Sequence, residues 1–265
     1  MSLLHAAFER AAAENRAALI AYIPAGFPTV EKCYDLARAI VDGGADIVEI
    51  GWPYSDPLMD GPIIQQAAEM ALHNGAHATD VLNTVSVVGD AGAVPLVMSY
   101  WNLIERYGVE AFAHDLKAAG GVGVITPDLT PEEAGPWMAA TDSDEIDRIF
   151  LVAPSSTDQR LNIVTDATTG FVYAASLMGV TGTRASVSSH AAELVARTRE
   201  VTSLPIAVGL GVSTPAQAAE VAQYADGVIV GSAYVKAVLD ADSHEEAVIA
   251  VRSLSAALAQ GVRRS

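Results

Sequence analysis

Eight short apolar runs recur along this chain, and that recurrence restricts the fold more than any other feature. They are "ALIAYI" (18–23), "DIVEI" (46–50), "PLVMSY" (95–100), "VGVIT" (122–126), "RIFLVA" (148–153), "GFVYAA" (170–175), "PIAVGL" (205–210) and "GVIVGS" (227–232). Helical patterns lie between them, among them "VEKCYDLARAIVDGG", "PIIQQAAEMALHNG", "GVEAFAHDLKAAGG" and "TPAQAAEVAQYA", and "HEEAVIAVRSLSAALAQGV" closes the chain. The runs are apolar almost throughout, as strands buried on both faces should be. Eight βα units in 265 residues is the count for a (β/α)₈ TIM barrel. The expected architecture is therefore one α/β barrel domain over residues 1–265 with a short N-terminal helix. A doubly wound open sheet competes, but its first βα turn would usually carry a G-x-G-x-x-G loop, and here that turn reads "PAGFPT".

Composition removes several function classes. The net charge of −17 argues against nucleic acid and anionic membranes, which both call for basic patches. It leaves room for a small anionic ligand, because backbone amides hold a phosphate without net positive charge. The one cysteine, Cys33, falls in a helical pattern and excludes an internal disulfide framework or a Cys-based zinc cluster. The N-terminus "MSLLHAAFERAAAENRAAL" is amphipathic and lacks the build of a signal peptide, and no run of eighteen apolar residues occurs. A cytoplasmic protein is expected.

The longest irregular stretches are the loops after the second strand (51–61) and after the sixth (176–188). In a barrel both open at the C-terminal face, where active sites sit. The first of these loops lies in "EIGWPYSDPLMDGP", which carries Glu49, Asp56 and Asp60. Side chains alternate along a strand, so if Ile47 points into the barrel then Glu49 does too, near the strand's C-terminal end. Burial there raises a carboxyl pKa and lets the group donate and accept protons near neutrality. A structural Glu bonded to backbone or water is the alternative. Asp56 and Asp60 have plainer readings as turn chemistry and as a residue near a helix start with Pro62 at its first position. The combination points further, since a proline-stiffened loop can return a second acid over the same pocket.

Three glycine-rich turns end the sixth, seventh and eighth strands: "MGVTGTR" (178–184), "VGLGVSTP" (208–215) and "VGSA" (230–233). Barrels often bind phosphate with the last two of these loops and a helix N-terminus behind them. Gly211 and the Gly231–Ser232 pair are the natural donors, with Gly182 closing over them from a lid-like sixth loop. Glycines at tight βα turns serve geometry as well, so the pairing of two such turns carries the argument. The six histidines are scattered with no metal spacing, and no metal is expected. No Ser-His-Asp or Cys-His set is present, and Lys32, Lys117 and Lys236 all fall in helices, away from the strand ends a Schiff base requires. Carboxylate acid–base chemistry remains.

With those residues in view, the chain resembles the tryptophan synthase α-subunit family, the indole-3-glycerol-phosphate lyases. The resemblance runs nearly end to end, through "AGFPT", "EIGWPYSDPLMDGP", "MSYWN", "ITPDLTPEEA", "FVYAASLMGVTGTR", "GLGVSTPAQ" and "ADGVIVGSA". It implies retro-aldol cleavage of indole-3-glycerol phosphate to indole and glyceraldehyde 3-phosphate. Glu49 matches the family's general acid/base and Asp60 the carboxylate that binds the indole N–H, which Thr181 helps to position. Tyr173 matches a pocket tyrosine, and Gly182, Gly211, Gly231 and Ser232 the phosphate site. Tyr22, Met98 and Leu210 fall at positions lining the indole pocket.

The resemblance also implies a partner, a β subunit that carries pyridoxal phosphate and receives indole in an αββα complex. Pro53, Asp56, Pro57 and Asn102 match positions that face it. No cofactor is expected in this chain itself. Trp52 departs from the family pattern, where a smaller apolar residue is more typical. Two other readings stay open: a non-catalytic subunit that only activates β, and a related phosphate-binding barrel isomerase using two acids.

Overall fold

The computed structural model describes residues 2–175 and 184–264. Nine parallel strands run through these residues: β1 (Ala18–Pro24), β2 (Ile47–Gly51), β3 (Val94–Met98), β4 (Gly123–Ile125), β5 (Asp147–Ile149), β6 (Leu151–Val152), β7 (Val172–Ala175), β8 (Ile206–Gly209) and β9 (Gly227–Val230). They pair in the order β5-β4-β3-β2-β1-β9-β8-β7-β6. The two edges of that order, β5 and β6, are consecutive in the chain with Phe150 alone between them. The fifth expected strand is thus one segment split at Phe150, where the chain changes neighbours. The carbonyl of Ile149 accepts from Thr126 N–H on one side, and that of Phe150 accepts from Tyr173 N–H on the other. The ring closes through this residue, and the fold is the expected TIM barrel.

The alternation along the strands builds two apolar layers. Ile20, Ile47, Leu96, Ile125, Ile149, Ala207 and Ile229 fill the barrel interior. Their neighbours in sequence, such as Leu19, Val48, Val97, Val124, Val208 and Val228, pack outward against the helices. The first helix, α1 (Leu3–Ala13), starts where the Ser2 side chain accepts from His5 N–H. Its Leu4 and Phe8 join the interior cluster and close the N-terminal end, with the Phe8 and Phe171 rings 5.5 Å apart.

The remaining helices are α2 (Val30–Asp42), α3 (Pro62–His73), α4 (Ala78–Ala91), α5 (Trp101–Tyr107), α6 (Val109–Ala118), α7 (Gly135–Asp144), α8 (Asp158–Ala167), α9 (Arg184–Arg199), α10 (Pro215–Ala222), α11 (Ser232–Leu239) and α12 (His244–Gly261). Three of them, α4, α5 and α11, are additions to the helical patterns read from sequence. In addition, α9 starts at Arg184 rather than near 188, so the sixth loop is shorter than expected. The placement of α3 and α11 matters most here. They pack together over Phe27 through Ala67, Ala71 and Val235, beside the C-terminal end of β1. That packing sets two helix N-termini on the rim of the barrel mouth.

Candidate active site

Parallel pairing fixes what stands at the mouth. Glu49 is opposite Tyr22 on β1 and Leu96 on β3. Ile47 lies in the interior cluster, so Glu49 points inward one layer above it. Only 1% of Glu49 is exposed, and its Oε1 is buried without a hydrogen-bond partner among the described residues. Burial pushes this carboxyl up to about 8, so the acid is protonated at neutral pH. An orphaned carboxyl atom at the floor of an open cavity disfavours the alternative of a structural Glu held by backbone bonds.

Two tyrosines flank it. Tyr22 and Tyr173 both line the cavity, and burial, with the Glu49 and Asp60 carboxyls nearby, pushes both phenols well above their usual range. Each ring lies over a glycine at a strand end. A methyl group on Gly51 would fall 2.2 Å from the Tyr22 hydroxyl oxygen, and one on Gly209 would fall 2.5 Å from that of Tyr173. Glycine is required at both positions by this close approach.

Asp60 comes in from the loop between β2 and α3. It is not the helix cap: that position is Gly61, which makes no side-chain cap bond, with Pro62 following in the first turn. The capping explanation for Asp60 therefore fails. Burial raises its carboxyl, and the Tyr100 hydroxyl opposes that rise. Glu49, Asp60, Tyr22, Met98, Tyr173, Leu210, Gly211, Gly231 and Ser232 all line one cavity of about 440 Å³. Ile63 and Ile64 from the first turn of α3 line it as well and were not singled out in the sequence. Their signal was present in "DGPII", an apolar pair set by Pro62 at the helix start.

The far wall of the cavity suits an anion. Gly231 caps α11 without a side-chain bond, and Ser232 begins the helix. By contrast the start of α10 is occupied by its own residues, since Thr214 accepts from Gln217 N–H and the Gln217 side chain accepts from the amides of Ser213 and Thr214. Of the two neighbouring termini, α11 is the one left open to a ligand. Gly211 takes a left-handed φ of 69°, which favours glycine. Thr181 and Gly182 lie outside the described residues.

Comparison with known proteins now bears on this geometry. Residues 8–263 match the sequence profile of the family described as Tryptophan synthase alpha chain. The chain belongs to that family. The tryptophan synthase alpha chain of Thermobifida fusca is 60% identical over 266 residues, covering 99% of this chain and 98% of its own length. That of Mycobacteroides abscessus is 56% identical, covering 97% and 96%. Among solved structures, tryptophan synthase from M. tuberculosis in its aminoacrylate-bound form superposes with a TM-score of 0.91 at 49% identity, covering 99% of this chain and 100% of that one. The tryptophan synthase alpha subunit of Legionella pneumophila gives 0.90 at 32% identity, covering 99% and 98%.

Within this tryptophan synthase alpha chain the expected partner-facing residues do not all stand alike. Asp56 is exposed and accepts from Ser55 Oγ at 2.6 Å, Pro57 is half-buried, and Asn102 is exposed with its amide donating to Tyr54 Oη at 3.2 Å. Pro53 is buried, two residues beyond the end of β2. The unforeseen surface residue is Leu58, which is 76% exposed.

Trp52 also has its account. Its N–H continues the ladder to the Met98 carbonyl at 2.9 Å. With Glu49 inward, Ile50 packed outward and Gly51 facing the Tyr22 ring, position 52 faces outward again. The indole ring lies 5.2 Å from Phe112 and 6.0 Å from Tyr107, in an aromatic group that extends to Trp137. It thickens the helix layer and does not line the cavity.

Proposed function

We propose that the cavity over Glu49 is where this chain breaks the carbon–carbon bond of indole-3-glycerol phosphate. As a tryptophan synthase alpha chain it is a lyase of tryptophan biosynthesis, yielding indole and glyceraldehyde 3-phosphate by a retro-aldol reaction. The observation that carries the assignment to this cavity is the unpartnered, protonated Glu49 at its floor, facing Asp60 and the open start of α11.

The chemistry follows from those three parts. Protonated Glu49 donates to indole C3, which places positive charge on the ring nitrogen. The Asp60 carboxylate accepts the indole N–H and stabilises that charge. Glu49, now a carboxylate, removes the proton of the adjacent side-chain hydroxyl. The C–C bond electrons return to the ring as the aldehyde forms, and Glu49 ends protonated, as it began. Gly211, Gly231 and Ser232, with Gly182, hold the phosphate, and the dipole of α11 adds attraction. Tyr22, Met98, Tyr173 and Leu210 bound the indole, and Thr181 positions Asp60.

The chain works with a β subunit in tryptophan synthase. We place pyridoxal phosphate in that partner, and Pro53, Asp56, Pro57 and Asn102 at the surface that meets it. The chain acts as one barrel domain. Among the described residues no helix is long and apolar enough to cross a membrane. As an enzyme of tryptophan biosynthesis the chain is assigned to the cytoplasm.

The test is product analysis on the purified chain, alone and with β. Indole and glyceraldehyde 3-phosphate are expected in equal amounts, faster with β, and Glu49→Gln is expected to stop release while ligand still binds. An isomerised phosphate without indole, or undiminished turnover by Glu49→Gln, overturns the reading.

A further inference from the structure

Asp60 stands on a loop that would need a fixed point to deliver a carboxylate reproducibly. The fixed point is a side chain from another loop. Tyr100 follows β3 and precedes α5, and its hydroxyl oxygen accepts two consecutive backbone amides, Leu58 N–H and Met59 N–H, each at 3.1 Å. A phenol oxygen has two lone pairs and one hydrogen. With both lone pairs engaged, the group can act further only as a donor, and the acceptor beside it is the Asp60 carboxyl. Burial and the Asp60 charge hold this phenol up at about 12, so it stays protonated wherever the enzyme works.

The ring itself is held from behind. Tyr54 packs against Tyr100 at a tilt of 35° with centroids 5.2 Å apart, and the Tyr54 hydroxyl accepts from Asn102. Tyr100 is 3% exposed, and it does not line the cavity. It therefore holds the backbone immediately before Asp60 and stays out of the substrate cavity.

Resting on the role given to Asp60 above, we propose that Tyr100 is a positioning residue for the retro-aldol reaction: its hydroxyl clamps the 58–59 backbone and orients the Asp60 carboxylate toward the indole nitrogen. The clamp acts on the residue that meets developing positive charge, so its loss is felt in the transition state more than in substrate binding.

The test compares Tyr100→Phe, which keeps the ring packed against Tyr54 and loses the hydroxyl, with Asp60→Asn in the same assay. For Tyr100→Phe we expect kcat to fall by about tenfold to a hundredfold with KM changed less than about threefold. The pH profile adds a readout that simple loosening of the fold does not move. The titratable groups facing Asp60 are Glu49, Tyr22, Tyr173 and Tyr100. Of these, the Tyr100 hydroxyl is the one that lowers the Asp60 pKa. Its removal shifts the acidic limb of kcat to higher pH. A thermal unfolding curve shows that the variant is folded, and a variant with reduced stability is still decided by the position of that limb. Wild-type kcat and an unmoved limb in Tyr100→Phe, beside a crippled Asp60→Asn, overturn the clamp and leave Asp60 in place. Full turnover by Asp60→Asn removes the role of Asp60 and the clamp with it.

Discussion

Two buried carboxylates stand three residues apart on one run of chain, and their surroundings are opposite in kind. Asp46, just before β2, meets a bidentate guanidinium: Arg16 donates at 2.6 and 2.9 Å, and Leu19 N–H adds a third bond at 2.9 Å. The Asp46 carboxylate in turn holds Arg16 above its usual range. Glu49, inside the strand, has no cation among the described residues and an oxygen that finds no partner among them. The same fold that satisfies an acid at the closed end of the barrel leaves one bare at the open end. A buried acid is therefore not in itself a sign of function. A buried acid without partners, at the floor of a cavity, is one.

The sharpest way to break this comparison is to neutralise each acid in turn and measure indole release. Glu49→Gln should lower kcat by about 10³-fold or more, since the proton shuttle is gone. Asp46→Asn should leave turnover per folded molecule within about threefold. Equal losses would erase the distinction.

The next effect is on stability and carries a sign. Folding raises the Glu49 pKa from 4.5 to about 8, so between those values the folded chain holds more protons than the unfolded one. Stability then falls as pH rises through that window, by up to about 1.4 kcal/mol per pH unit. Chemical unfolding from pH 5 to 8 should show this slope in wild type and a shallower one in Glu49→Gln, which is the more stable protein at pH 8. A flat wild-type profile would mean that Glu49 finds partners in solution.

Removing the cation tests the other half. Arg16→Ala takes the bidentate partner from a buried Asp46, leaving it the Leu19 amide and the longer contact to Arg10 at 3.8 Å, and should cost about 2–3 kcal/mol in chemical unfolding while sparing turnover. The smallest change expected is for Trp52→Phe, about 1 kcal/mol of stability and no change in KM, because that ring packs in the helix layer. A shifted KM would put the ring back in the pocket.

Much of this was legible in the sequence, and the failures have physical causes. The barrel could be counted because each strand is buried on both faces and so reads as a short apolar run. The split at Phe150 could not, since changing hydrogen-bond neighbours leaves no mark on side-chain type. α4 escaped because "VLNTVSVV" is rich in β-branched residues and suits a strand as well as a helix. α5 escaped because it has only 7 residues. Among site residues, Glu49 and the glycine turns are local signals. Tyr100 is not, because its two amide partners lie 42 and 41 positions away in sequence. Trp52 is the instructive miss: the alternation that places Glu49 inward, continued by three residues, places Trp52 outward.

The glycines at 51 and 209 have a consequence for the cavity. Each lets a phenol come close to the main chain, and a methyl at either place would meet its hydroxyl oxygen at 2.2 or 2.5 Å. The seats of the two tyrosines that line the cavity are thus set by hydrogen atoms on the strands. A pocket shaped by rotatable side chains adapts to its guest. Here two walls are seated on strand backbone, so a methyl at either glycine would displace a tyrosine from the cavity wall.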